Sequence, residues 1–270
     1  ISQVFGKFAK KEFPTFIQSI INNGYVKFLG LNMSEFRQAK YYKSLNDLFT
    51  RELAINREIN VKEDTFISPA DSFITQAGSL KGDLALQIKG MEYSLEELLT
   101  FHASKNIDKM RDGKYMNFYL SPKDYHRLHM PVTGTLREMI YVPGDLFSVN
   151  QTTAQNVPRL FSRNERVVAI FDTDLGPMAL VLVGAMIVAG IETTWAGRIT
   201  PFDRNVRSTS YPVQGESQQP LTIEKGEEMG RFFLGSTIVV CFGKDKMHWL
   251  EEMKAEQPLR LGESIGLTLE

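Results

Sequence analysis

From about residue 65 onward the chain is cut into short runs rich in β-branched and aromatic residues, GTLREMIYV, ERVVAIFDT, MALVLVGAMIVAGIET and STIVVCF among them, separated by Gly, Pro, Asn and Asp. Runs of this length and punctuation build antiparallel strands joined by tight turns, so the expected core is an antiparallel β-sandwich or a partly closed barrel. The stretch MALVLVGAMIVAGI at 178–191 falls short of the roughly 20 residues that a membrane-crossing helix needs, and reads as buried strands. One helical insertion is expected near SLEELLTFHAS at 94–104, where Ser94 and Glu97 have the spacing of a capping box.

Residues 1–55 have a different period. Val4, Phe5, Phe8, Phe13, Phe16, Ile17, Ile20, Ile21, Leu48, Phe49 and Leu53 recur at helical intervals, which predicts two or three amphipathic helices. Lys7, Lys10, Lys11 and Lys27 accompany the aromatic residues, the make-up of a helix lying in a membrane interface; the same stripes equally suit packing on the rest of the protein. The expected class is therefore α+β, mostly β, with a helical region at 1–55 and a β-rich domain at 56–270. A net charge of −1 excludes broad electrostatic capture of nucleic acid. The single cysteine, Cys241, lies in the apolar stretch TIVVCF, so it reads as a small buried hydrophobe in a reducing compartment. The N-terminus shows no continuous apolar segment of the signal-peptide kind.

Four segments carry chemistry. In FFLGSTIVV, Gly235 allows a tight turn before a strand, and the Ser236 hydroxyl is placed to attack the Gly235 carbonyl if a base lies near; alone, Gly-Ser-Thr is most often an ordinary turn. YLSPKDYHRLHMP at 119–131 holds His126 and His129, two of four histidines, suited to proton transfer. A metal site there would lack ligands, since His102, His248 and Cys241 do not complete a tetrahedral spacing. ISPADSFI at 67–74 offers Asp71, either a turn residue or the carboxylate partner of a histidine. YVPGDLFSVN with TAQNVPRLFSRNERV, 141–167, reads as a loop whose Leu146, Phe147 and Val149 either present apolar surface to a greasy substrate, the reading slightly favoured, or plug into the core.

Taken together these segments resemble the phosphatidylserine decarboxylases, in particular the short bacterial enzymes, from about Leu45 to the C-terminus. The resemblance is carried by PADS at 69–72, KGMEYSLEELL at 89–99, YLSPKDYHRLHMP at 119–131, REMIYVPGDLFSVN at 137–150, NERVVAIFDT at 164–173 and MGRFFLGSTIVV at 229–240. It implies a proenzyme that cuts itself between Gly235 and Ser236, with Asp71, His129 and Ser236 as the self-cleavage triad. The products would be a large amino-terminal chain and an associated small one that begins with a pyruvoyl group made from Ser236, the only cofactor and no metal. The resemblance further implies a Schiff base between that group and the amine of phosphatidylserine, then loss of carbon dioxide to give phosphatidylethanolamine, with His126 the candidate proton donor. Ser72 follows Asp71 where many relatives have glycine. A lipid substrate also implies peripheral attachment to an anionic membrane, on the cytoplasmic side of the bacterial membrane, and the resemblance is compatible with a homodimer.

Three other readings remain open to the sequence. A pyruvoyl decarboxylase of a different amino-acid-type substrate would share the same turn. A serine hydrolase would need a GxSxG elbow, absent around Ser236. A β-rich carrier or binding module would need a lysine displayed on a hairpin, for which Lys225 in IEKGEEMG is the candidate.

Overall fold

The computed structural model describes residues 8–86, 91–100, 103–185, 190–200, 204–212, 219–233 and 236–269. Its organising element is the strand Ser236–Phe242, buried at every position. The strand pairs antiparallel with Lys114–Leu120 on one side and with Gly176–Val183 on the other. A strand covered on both edges and both faces has no exposed side on which to put polar residues, which is why TIVVCF is a continuous apolar run.

Around this strand the largest sheet runs, in spatial order, Arg207–Ser210, Gly134–Val142, Arg166–Thr173, Gly176–Val183, Ser236–Phe242, Lys114–Leu120, Ser72–Ser79 and Pro258–Leu259, with Thr222–Ile223 also on Gly134–Val142. Alternation sends side chains into two cores. Ile238, Val240 and Phe242 join Phe66, Phe118, Phe171 and Met229 in the first. Val239 and Cys241 join Leu95, Leu98, Met110 and Phe161 in the second.

The first core is closed by two smaller antiparallel sheets. One holds Thr65–Ile67, Ser264–Thr268 and Met247–Trp249; the other holds Gly197–Arg198, Ile191–Thr193, Glu228–Phe232 and Arg127–His129. The second core is closed by short helices, among them Leu95–Leu99, Ser104–Met110 and Leu160–Arg163. The result is α+β, mostly β: sheet on sheet across one face and helices across the other. The barrel alternative does not hold among the described residues, because the edge strands Arg207–Ser210 and Pro258–Leu259 are short and do not pair with each other. Ser94 caps the Leu95–Leu99 helix in a full capping box with Glu97, as its spacing predicts. Of the 178–191 run, Gly176–Val183 and Ile191–Thr193 are strands, while 186–189 lie outside the described residues.

The 141–150 segment differs from expectation. Val149 is buried in the second core and Phe147 packs against it. Asn164 holds the segment down, accepting from the Phe147 N–H at 3.1 Å and donating to its carbonyl at 2.9 Å, and Arg163 covers the Phe147 ring at 4.6 Å. A Cβ at Gly144 would come within 2.3 Å of the Arg163 carbonyl oxygen, so only glycine permits this approach. Val149 and Phe147 thus pack on the core, while Leu146 is half-buried and belongs to neither core.

At the N-terminal end the Thr15–Leu29 helix is inverted. Gln18 and Asn22 are its buried residues, and Asn22 donates to the carbonyls of Ala39 and Tyr42 at 2.9 and 2.8 Å while accepting from Gln18 at 2.7 Å. These bonds anchor the helix by its polar side. Its apolar side is left outward, with Phe16 77%, Ile20 59% and Phe28 85% exposed. The next helix, Leu45–Phe49, is capped by Ser44 and buries Leu45, Leu48 and Phe49.

Candidate active site

Ser236 opens the central strand opposite Leu120 and is fully buried. Alternation places its side chain on the face of Ile238 and Val240, the face covered by the sheet that carries His129. Its Oγ has no hydrogen-bond partner. Burying a hydroxyl unpaired costs about 1–3 kcal/mol, so the surrounding fold must hold it there. Thr237 Oγ1, on the opposite face, is likewise unpartnered. Gly235, the other side of the expected cleavage bond, lies outside the described residues, as does His102.

His126 is fully buried and stacks on Phe49 with ring centroids 4.1 Å apart. Its Nε2 lies 3.0 Å from the Ser121 carbonyl oxygen, which can only accept, so Nε2 carries the proton and Nδ1 keeps a bare lone pair. That Nδ1 is buried without a donor. Ser121 directly follows Leu120, the cross-strand partner of Ser236, so the His126 anchor and the serine are neighbours through one strand end. Burial, helped by the charge of Arg51 and opposed by the Ser121 carbonyl, pulls His126 down to about 3. It is neutral at physiological pH.

His129 sits on the Arg127–His129 strand opposite Glu228. Its Nδ1 donates to the Gly226 carbonyl at 2.8 Å, and its Nε2 accepts from the Tyr125 hydroxyl at 3.2 Å. Burial lowers its proton affinity, with the Gly226 carbonyl and the Glu228 charge opposing. The arrangement is that of a general base: neutral, with the lone pair on Nε2. The tautomer is set by Gly226, at φ +81° in the IEKGEE turn, where a carboxylate was expected.

Asp71 is held elsewhere. Arg57 donates to both of its oxygens, through Nη1 to Oδ1 and through Nη2 to Oδ2 at 3.0 Å, and the Leu261 N–H adds a bond at 2.9 Å. Arg57 also grips Glu35 at 3.1 and 2.9 Å, and Arg260 holds Glu35 from its other side. The Asp71 and His129 segments nevertheless run together, since the His129 N–H donates to the Pro69 carbonyl at 2.9 Å. Among the described residues no hydrogen bond joins Asp71 to His129 or His129 to Ser236. Sequence reasoning named the three and missed Arg57, Tyr125 and Gly226, which hold two of them. Tyr125 lies inside the quoted histidine segment, but nothing in its spacing marks its hydroxyl as the group on Nε2.

Lys225 is not displayed. Its ammonium donates to the carbonyls of Lys62 and Thr65 and to the Thr65 hydroxyl, each at 2.7 Å, which removes the carrier-lysine reading.

Fold and site define a class: an antiparallel β protein whose central strand begins with a serine of buried, unbonded hydroxyl beneath a sheet carrying a neutral histidine. Residues 45–267 match the family described as phosphatidylserine decarboxylase. Over 273 residues, all of this chain and 90% of the relative, the sequence is 48% identical to the phosphatidylserine decarboxylase proenzyme of Hahella chejuensis. It is 51% identical to the proenzyme of that name from Pseudomonas fluorescens over 84% of this chain and 78% of the relative, and 45% identical to that of Acinetobacter baumannii over 100% and 92%. The chain belongs to the phosphatidylserine decarboxylase family and with it to the carbon–carbon lyases.

The neutral histidines make stability depend on pH. A folded pKa pulled below the ordinary value gives stability that is present above about pH 6.5 and is lost as pH falls toward about 3 for His126. In the Ser236→Ala protein, urea unfolding should lose up to about 1.4 kcal/mol per pH unit from this one group below about pH 6.5. The His126 ring nitrogens, read by NMR, should stay those of a neutral Nε2–H imidazole down to about pH 5; a midpoint near the ordinary histidine value would contradict the site described.

Proposed function

We propose that the chain is a self-processing enzyme that cuts itself between Gly235 and Ser236 and then converts phosphatidylserine to phosphatidylethanolamine and carbon dioxide. The observation that carries this reading is the Ser236 hydroxyl, buried in a core strand, facing the histidine-bearing sheet and bonded to nothing. It supports no part of the fold, so its chemical removal breaks no native hydrogen bond.

In the cut, Ser236 Oγ bonds to the Gly235 carbonyl carbon, the C–N bond breaks, and the freed amine gains the hydroxyl's proton. His129 carries that proton on Nε2 once the Tyr125 hydroxyl turns aside; the Glu228 charge favours the imidazolium, and Asp71 adds its own once Arg57 releases it. Elimination then removes the Ser236 Cα proton and expels the Gly235 carboxylate. Water displaces the nitrogen as ammonia, leaving a pyruvoyl group at residue 236. When present, that group supplies a carbonyl for the substrate amine and a sink for the electron pair freed as carbon dioxide departs. His126 is the proton donor to the substrate carbon. It must first gain a proton, and a substrate carboxylate brought beside its vacant Nδ1 raises its affinity for one.

The outward apolar side of the Thr15–Leu29 helix favours a lipid over a free amino acid. Phe16, Ile17, Ile20 and Phe28 are exposed, with Lys10, Lys11 and Lys27 exposed beside them, and this pattern suits peripheral attachment to the anionic cytoplasmic face of a membrane.

Purified protein given phosphatidylserine vesicles should release carbon dioxide, and phenylhydrazine, which traps the carbonyl, should stop it; release that survives the trap would sink the pyruvoyl mechanism. In flotation with phosphatidylglycerol-rich vesicles, the Phe16→Ser/Ile20→Ser/Phe28→Ser protein should bind about tenfold or more weakly than the wild type, since each side chain removed gives up apolar burial. Unchanged binding would place the membrane contact elsewhere.

A further inference from the structure

A cavity of about 700 Å³ opens between the loop that follows the Thr15–Leu29 helix and the Lys123–Tyr125 turn. Arg51 forms part of its wall and is itself only 2% exposed. The Arg51 Nη2 donates to the carbonyls of Lys123 and Asp124 at 2.9 and 3.1 Å, and the guanidinium lies 4.5 Å from the centre of the Phe36 ring. Its Nε and Nη1 have no acceptor, and among the described residues no carboxylate lies within ion-pair distance of it. The Tyr42 hydroxyl, whose proton affinity responds to the Arg51 charge, is also buried and unpartnered.

A buried cation without a counter-charge is costly, and removing its partner from such a pair is among the more damaging changes a protein can suffer. The neighbouring cations do not share the condition. Arg57 is committed to Asp71 and Glu35, and Arg260 to Glu35. The Asp124 carboxylate accepts the Ser121 N–H at 2.7 Å and closes its own turn. At the rim, Lys123 is exposed and has no ion-pair partner among the described residues. The cavity therefore holds one cation in its wall, Arg51, whose Nε and Nη1 lack an acceptor, and one at its mouth, Lys123, without a close ion pair; both feel the Asp124 carboxylate only at longer range.

Its position relates these charges to the rest of the molecule. One side is bounded by Gly30, the left-handed cap of the helix whose apolar side faces outward. The other is bounded by Tyr125, which is bonded to His129, and Phe49, two residues before Arg51, stacks on His126. A site between an apolar outer surface and the histidines corresponds to the order of groups in an aminophospholipid, where the phosphate lies between the acyl chains and the amino-acid head.

We propose that this cavity seats the phosphodiester of a glycerophospholipid headgroup, with Arg51 as its inner cation and Lys123 as its outer one. The assignment rests on the decarboxylase reading and names the residues that hold the substrate's anionic link. A phosphodiester in the cavity would lie against the Arg51 guanidinium and, with a small shift of the wall that uncovers the buried Nε and Nη1, would give those donors the acceptor they lack; charge-assisted bonds of this kind are stronger than neutral ones.

The test compares processed wild type, Arg51→Lys and Lys123→Met on dihexanoyl phosphatidylserine kept below its aggregation limit, so that membrane attachment does not enter. Intact mass reports whether each protein has cut itself and serves as the control for folding. KM should rise about tenfold in each variant, the loss of one charge-assisted bond, with a smaller change in kcat. Inorganic phosphate should compete with the lipid on the wild type and do so less well on both variants. A KM within about twofold of wild type in both cut variants would overturn the seat. Weakened phosphate inhibition with an unchanged KM would make the cavity a site for free phosphate and overturn the lipid assignment. Should Arg51→Lys fail to cut itself, Lys123→Met, on the exposed rim, decides. A wild type that cuts itself but releases no carbon dioxide would count against the decarboxylase reading and the seat together, whereas an active wild type with unaltered variants rejects the seat alone.

Discussion

One interaction that is missing governs the rest: the Ser236 hydroxyl, at the head of a strand enclosed on every side, makes no hydrogen bond. A hydroxyl in that place is tolerated only because the strand's other six residues are locked by two full ladders and two cores. The enclosure keeps water from the Ser236 face and fixes the strand from Ser236 onward.

The histidines obey the same constraint. A charged imidazole is expensive in so dry a region, so burial holds both neutral, while the bonds to carbonyls, His126 to Ser121 and His129 to Gly226, fix which nitrogen carries the proton. Each keeps one bare nitrogen, Nδ1 on His126 and Nε2 on His129. Only the second is covered, by Tyr125. Asp71 is withheld by Arg57, whose other hand reaches Glu35 in the loop between the N-terminal helix and the Leu45–Phe49 helix. The N-terminal region is thus wired to the site by Arg57, Arg51 and Phe49, as well as being the part whose apolar side faces outward.

Much of this was legible from the residues. The β texture, the capping box at Ser94, the burial of Cys241 and the place of Ser236 at a strand head follow from patterns only a few residues long, which is where propensity and alternation speak most clearly. The partners of Asp71 and His129 were not legible. Arg57 lies 14 residues from Asp71, Gly226 lies 97 from His129, and such bonds exist only after the sheets have stacked. The 141–150 segment misled because apolar side chains in a turn-rich stretch suit an open binding loop and a core plug equally, and Asn164 decides the matter from another element. The Thr15–Leu29 helix had the spacing of an amphipathic helix, but its inversion is set by Asn22, a polar residue whose burial no local pattern announces.

The central claim is that Ser236 attacks its own backbone. It is tested most directly by the intact mass of the purified wild type beside Ser236→Ala. The wild type should give two fragments parting between Gly235 and Ser236, the smaller blocked at its first residue by pyruvate, while the variant should remain one chain. A wild type that stays whole under native conditions, or a Ser236→Ala protein that is cut at the same bond, would contradict it.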